Sequence, residues 1–159
     1  MRTCIIYHSY SGITRSIAEK IRDACGGDLI EVTPREKYTT LSAYTLGCYR
    51  ARKEEKDPID PEILDISSYG LIVIGTPVWA WKATPAINAA IAALKGGEGK
   101  KAVIFATCGS QARETLAIMK KALDTKGIVV ADEIVLTKKE IAEGIKIKNL
   151  ISLVNAAKT

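Results

Sequence analysis

A doubly wound α/β fold, with a parallel sheet covered by helices on both faces, is predicted by three features of this sequence. Five short apolar runs rich in β-branched residues alternate with segments of helical period, the pattern of strands joined by crossover helices. The runs Leu71–Ile74 and Ala102–Ala106 carry no polar alternation, as expected of strands buried on both faces. Finally, the chain has 159 residues, the length of one domain.

The first strand is Thr3 to Tyr7, ending in the small polar loop Ser9-Tyr10-Ser11-Gly12. Ile13, Ile17, Ala18 and Ile21 then recur at helical spacing until Gly26-Gly27 stops the helix. Leu29 to Val32 is the second strand, broken at Pro34. From Tyr38 to Lys56 the spacing of Leu41, Tyr44, Leu46, Tyr49 and Ala51 predicts an amphipathic helix with a charged end, and Pro58 and Pro61 enforce an extended connection. Leu71 to Ile74 is the central strand, leading into the loop Gly75-Thr76-Pro77-Val78-Trp79-Ala80-Trp81. Thr84 to Leu94 is a helix opened by Pro85, ended by the turn Gly96-Gly97-Glu98-Gly99. Ala102 to Ala106 is the fourth strand, running into Thr107-Cys108-Gly109-Ser110. A helix follows to about Thr125, with Leu116, Met119 and Leu123 inward and Gly127 as its stop. Ile128 to Leu136 is the fifth strand. Lys138 to Ala157 is the last helix, with Ile141, Ile145, Ile151 and Val154 toward the sheet. One domain over 1–159 is expected.

Composition excludes several classes. At 47% hydrophobic and 26% charged the chain is neither disordered nor fibrous. The run Leu71 to Trp81 falls far short of the roughly 20 residues of a membrane span. The start of the chain carries no targeting signal, and Cys4, Cys25, Cys48 and Cys108 lack CxxC spacing with only His8 to assist, so reduced thiols in a cytoplasm are expected rather than a zinc site. The net charge of +5 is spread along the chain without an arginine-rich run, so no nucleic-acid partner is expected.

In such a sheet, ligands bind beyond the carboxyl ends of the strands where strand order reverses. After the first strand, Ser9, Ser11 and Thr14 supply hydroxyls, Gly12 permits close backbone approach, and the following helix start supplies free N–H groups, together a phosphate cradle. A plain helix cap by Ser11 or Thr14 is the blander reading. GxGxxG and GxxxxGK[ST] are both missing. After the third strand stand both tryptophans, Trp79 and Trp81, suited either to a flat aromatic ligand or to capping the sheet. After the fourth, Thr107-Cys108-Gly109 is small and rich in backbone donors; Cys108 is either a thiol near a helix start or a small residue that lets a ring lie close. His8 beside the first loop serves local hydrogen bonding or a phosphate. No Ser–His–Asp arrangement is present, and the basic face of the last helix reads as solvated.

Strand–Ser-x-Ser-Gly-x-Thr–helix resembles the phosphate loop of the flavodoxin family, and Gly75 to Trp81 resembles its aromatic flavin loop. The resemblance extends over nearly the whole chain and implies a three-layer flavodoxin-like sandwich with five parallel strands in the order 2-1-3-4-5 and FMN at the switch point. It implies that Ser9, Tyr10, Ser11, Gly12, Ile13 and Thr14 surround the FMN phosphate. Thr76, Pro77, Val78, Trp79, Ala80 and Trp81 would flank the flavin ring from one side, and Thr107, Cys108 and Gly109 from the other. No metal and no catalytic side chain are implied; Gly75, Thr76 and Trp79 are candidates for tuning the one-electron-reduced state. The implied function is a low-potential electron-transfer protein meeting redox partner proteins transiently. The alternative is an FMN-dependent NAD(P)H or quinone oxidoreductase on the same fold. The chain departs from the family in its basic charge, in Cys108 where many members place a stacking aromatic, and in the long Tyr38–Lys56 stretch, which resembles an insertion found in some subfamilies.

Overall fold

The computed structural model describes residues 1–159. Five parallel strands form the sheet: β1 (Thr3–Tyr7), β2 (Asp28–Glu31), β3 (Leu71–Trp79), β4 (Lys101–Cys108) and β5 (Val129–Thr137). Their spatial order is β5-β4-β3-β1-β2, which is the expected 2-1-3-4-5.

Side chains alternate between the two faces of this sheet, so each strand feeds two cores. On one face Ile6, Ile74 and Ile104 pack against the helices Pro85–Ala93 and Thr115–Asp124 through Ile87, Ile91, Met119 and Leu123. On the other, Ile5, Val73 and Phe105 pack against α1 (Ile13–Cys25) and the C-terminal helix Ile145–Ala157 through Ile17, Ile21, Leu150 and Val154. No helix is long and apolar enough to cross a membrane.

Several elements differ from the sequence reading. The third strand does not stop at Ile74: Gly75, Thr76 and Pro77 keep pairing with β4, and the chain then turns back so that Lys82–Ala83 pairs antiparallel with Val78–Trp79. The two-residue turn is Ala80-Trp81, at φ 50° and 64°. A turn of this kind favours Asn-Gly, so two side chains in the left-handed region store strain at the sheet's end.

The last helical segment is two helices, Lys138–Glu143 and Ile145–Ala157, separated at Gly144 with φ 82°. Gly144 resets the helical phase, so Ile145 is exposed and Ile147, Leu150 and Val154 take the inner face. The helix after β4 begins only at Thr115. In the 40–52 region, Thr40–Ser42, the π-helical turn Ala43–Gly47 and Cys48–Arg52 follow one another without a break. Its inner face is not the bulky stripe. Ala43, Gly47 and Ala51 are buried, whereas Leu41, Tyr44, Leu46 and Tyr49 face outward.

Candidate functional site

The carboxyl ends of β1, β3 and β4 open into one cavity of about 490 Å³, within the range of about 300–1,000 Å³ usual for small-molecule sites. Three walls come from the loops the sequence singled out. Tyr10, Ser11, Ile13 and Thr14 form the first; Pro77, Val78, Trp79 and Ala80 the second; Thr107, Cys108 and Gly109 the third. The remaining residues are Ala43, Tyr44 and Cys48 of the 40–52 segment, and Lys138 and Ile141 of the helix after β5. Sequence reasoning did not place these five at the site. They lie far from the motifs in the chain, and only the topology carries them to the same end of the sheet.

Four expected residues do not line the cavity, and each has a visible task. Ser9 Oγ accepts from the N–H groups of Gly12 (3.1 Å) and Arg15 (3.2 Å), shaping the loop from behind. Gly12 sits at the helix start with φ 94° and open space where a side chain would stand. That conformation is the one glycine enters without penalty. Thr76 is fully buried; its hydroxyl donates to the Pro77 carbonyl and its Oγ1 accepts from the Thr84 N–H, closing the hairpin from inside. Trp81 points away from the cavity, half exposed, with the Arg113 guanidinium 4.6 Å above its ring.

Electrostatically, the first wall favours an anion. Ser9 takes up the Arg15 N–H in the first turn of α1, but the N–H groups of Ile13 and Thr14 have no acceptor within the protein. Such a helix start concentrates partial positive charge. Arg15 does not add to it, because its guanidinium pairs with Glu31. Thr14 Oγ1 lies 2.9 Å from Thr107 Oγ1, so the first and third walls are joined beneath the cavity floor.

Trp79 organises the second wall. The rings of His8, Tyr10 and Tyr38 meet it in edge-to-face fashion, at centroid distances of 5.8, 5.9 and 5.2 Å. Gly47 lies against the indole so closely that a Cβ there would stand 2.7 Å from a ring carbon. Trp79 therefore both lines the cavity and anchors the 40–52 segment. Tyr38 is held in turn by Asp57, a buried carboxylate that also takes Arg50 at 3.0 Å; burial first, then this hydrogen bond, pushes the Tyr38 phenol up to about 12.

His8 is structural. Its ring is buried, Nδ1 lies 2.9 Å from Thr84 Oγ1, and burial lowers its pKa to about 4, so it is neutral at pH 7 and offers no charge to an anion. Burial pushes the thiols of Cys48 and Cys108 up, so neither is an activated nucleophile, although Cys108 lies beside Thr137 at the start of the helix Lys138–Glu143. Cys108 fits the reading of a small residue that lets a ring lie close.

A family model described as flavodoxin matches residues 2–148. A search of curated proteins found no match. Among solved structures, the chain is similar to a flavoprotein from Bacteroides eggerthii, at 24% identity and TM-score 0.77, covering 97% of this chain and 98% of that one. A flavoprotein from Lactobacillus acidophilus, solved in complex with FMN, is 22% identical with a TM-score of 0.72 over 89% of this chain and 97% of that one. The two-electron reduced flavodoxin of Megasphaera elsdenii is 17% identical with a TM-score of 0.61, over 99% of both chains.

Proposed function

This chain belongs to the flavodoxin family, and from that premise we propose that it is an FMN-binding electron-transfer protein. The observation that carries the reading is the continuity of one cavity from the acceptor-free amides of Ile13 and Thr14 to the aromatic wall at Trp79. A phosphorylated planar cofactor has both halves of that character. FMN would supply the redox chemistry by taking up and releasing electrons.

The protein's part is to bind and orient. Ile13 and Thr14 would donate their N–H groups to the phosphate, with the hydroxyls of Ser11 and Thr14 beside them, while Ser9 and Gly12 hold the loop in shape. Pro77, Val78, Trp79 and Ala80 would flank the ring on one side and Thr107, Cys108 and Gly109 on the other, with Tyr10 at the mouth. Thr76 and Trp81 would act indirectly, through the hairpin. No side chain is assigned as acid, base or nucleophile, and electrons would pass to and from partner proteins met transiently in the cytoplasm.

One observation favours a second reading. The third wall carries no aromatic side chain, so a ring flanked by Trp79 would leave its other face open to a planar substrate. That arrangement suits an FMN-dependent oxidoreductase of NAD(P)H or quinones.

The test is the visible absorption spectrum of the purified protein, titrated with FMN and then reduced stepwise without oxygen. A carrier binds FMN, accumulates the one-electron-reduced form and shows negligible turnover with NADPH and a quinone. Direct passage to the two-electron-reduced form with steady turnover would favour the oxidoreductase, and absence of flavin binding would overturn both.

A further inference from the structure

Sixteen residues line the cavity, and Lys138 is the only one with a charged side chain; no carboxylate lines it. Lys138 is exposed and takes part in none of the chain's ion pairs. The carboxylate nearest in the chain, Glu140, is already engaged: it pairs with Lys146 and accepts the Thr137 N–H at 3.2 Å. The cavity thus presents one uncompensated positive charge.

Resting on the FMN reading above, we propose that Lys138 tunes the reduction potential of the bound cofactor by opposing the negative charge that reduction adds. Uptake of two electrons and one proton, the electrons coming from a one-electron donor, leaves the flavin with one more negative charge than before. A fixed cation lining the cavity lowers the free energy of that product relative to the oxidised form. By linkage, the protein then binds reduced FMN more tightly, relative to oxidised FMN, than it would without the lysine. Because Lys138 is solvated, water and salt screen the effect to about threefold to tenfold in that ratio, or roughly 30–60 mV for the second electron at 59 mV per tenfold.

The variants leave the fold intact, because Lys138 opens a helix at a position where a cation is not favoured and its side chain makes no hydrogen bond or ion pair. The experiment compares wild type with Lys138→Gln, Lys138→Glu and Lys139→Gln. Lys139 is also exposed but does not line the cavity, so its replacement makes the same change in net charge without altering the wall. Oxidised FMN affinity is read by fluorescence quenching and the potential of the second electron by spectroelectrochemistry, at low and high salt. The expected result is a fall equivalent to three- to tenfold for Lys138→Gln, about twice that on the logarithmic scale for Lys138→Glu, less than twofold for Lys139→Gln, and shrinkage of all shifts in salt. Equal shifts for Lys138→Gln and Lys139→Gln would assign the effect to net charge and overturn the proposal, as would unshifted potentials. Failure of wild type to quench FMN would appear before any potential is measured, and would overturn the cofactor reading itself.

Discussion

Thr14 Oγ1 and Thr107 Oγ1 are 2.9 Å apart, both buried, and join the start of α1 to the end of β4. Only one hydroxyl donates in this bond; the other keeps its proton for a ligand in the cavity both residues line. Replacing either threonine with valine leaves its partner unsatisfied. Thr14→Val and Thr107→Val are each expected to lower stability by about 1–2 kcal/mol, and the double variant by about 1 kcal/mol less than their sum. Urea unfolding of the four proteins measures this, and strict additivity would contradict it.

Ser11 and His8 flank the same loop but differ in what they offer a phosphate. Ser11 is exposed on the cavity wall, whereas the ring of His8 is buried against Thr84 and Trp79. Ser11→Ala is expected to weaken FMN binding by about tenfold, the usual worth of a charge-assisted hydrogen bond, and to leave riboflavin binding unchanged. His8→Gln is expected to alter FMN affinity less. Fluorescence quenching with both ligands decides between them.

Burial holds the His8 pKa at about 4, against 6.5 for the free side chain. The unfolded chain takes up a proton there as pH falls through 6.5, while the folded chain does so only near 4. Stability contributed by neutral His8 is therefore full above pH 6.5 and declines between 6.5 and about 4, by up to about 3 kcal/mol. Urea midpoints at several pH values in this window should fall for wild type and change less for His8→Gln.

Gly75 is the neighbour of Phe105 across β3 and β4, and a Cβ on it would stand 2.1 Å from Phe105 Cζ. The ring occupies the space a side chain would need, in the core beneath the cavity. Gly75→Ala is expected to lower stability by about 2–3 kcal/mol, or roughly 4–12 °C in Tm. The same change in a Phe105→Leu background should cost less, which thermal unfolding would show.

Much of this architecture is written in local sequence. The buried strands are apolar on both faces, and the hydroxyl-rich loop after β1 combines a glycine with a helix start, so both can be read without tertiary information. The hairpin after β3 escaped because Ala80-Trp81 carries none of the usual turn residues. Thr137 and Glu140 form a capping box that starts a helix, yet the apolar spacing beyond Gly144 reads as one continuous period. The 40–52 segment misled for a different reason. Bulky spacing suggests the inner face, but close packing against Trp79 needs small residues, so Ala43, Gly47 and Ala51 turn inward. Lys138 and Ile141 join the cavity only through strand order, which no local pattern encodes.

Gly47 gives the cavity a property its rigid strands cannot. Three sides of the chamber are fixed to the ends of β1, β3 and β4, while the fourth, bearing Ala43, Tyr44 and Cys48, rests on Trp79 at a contact with no room for one more carbon. A side chain at position 47 fits only if the Trp79 ring or the segment itself shifts. The seating of that side on the sheet is thus set at one residue, apart from the loops that would grip the phosphate.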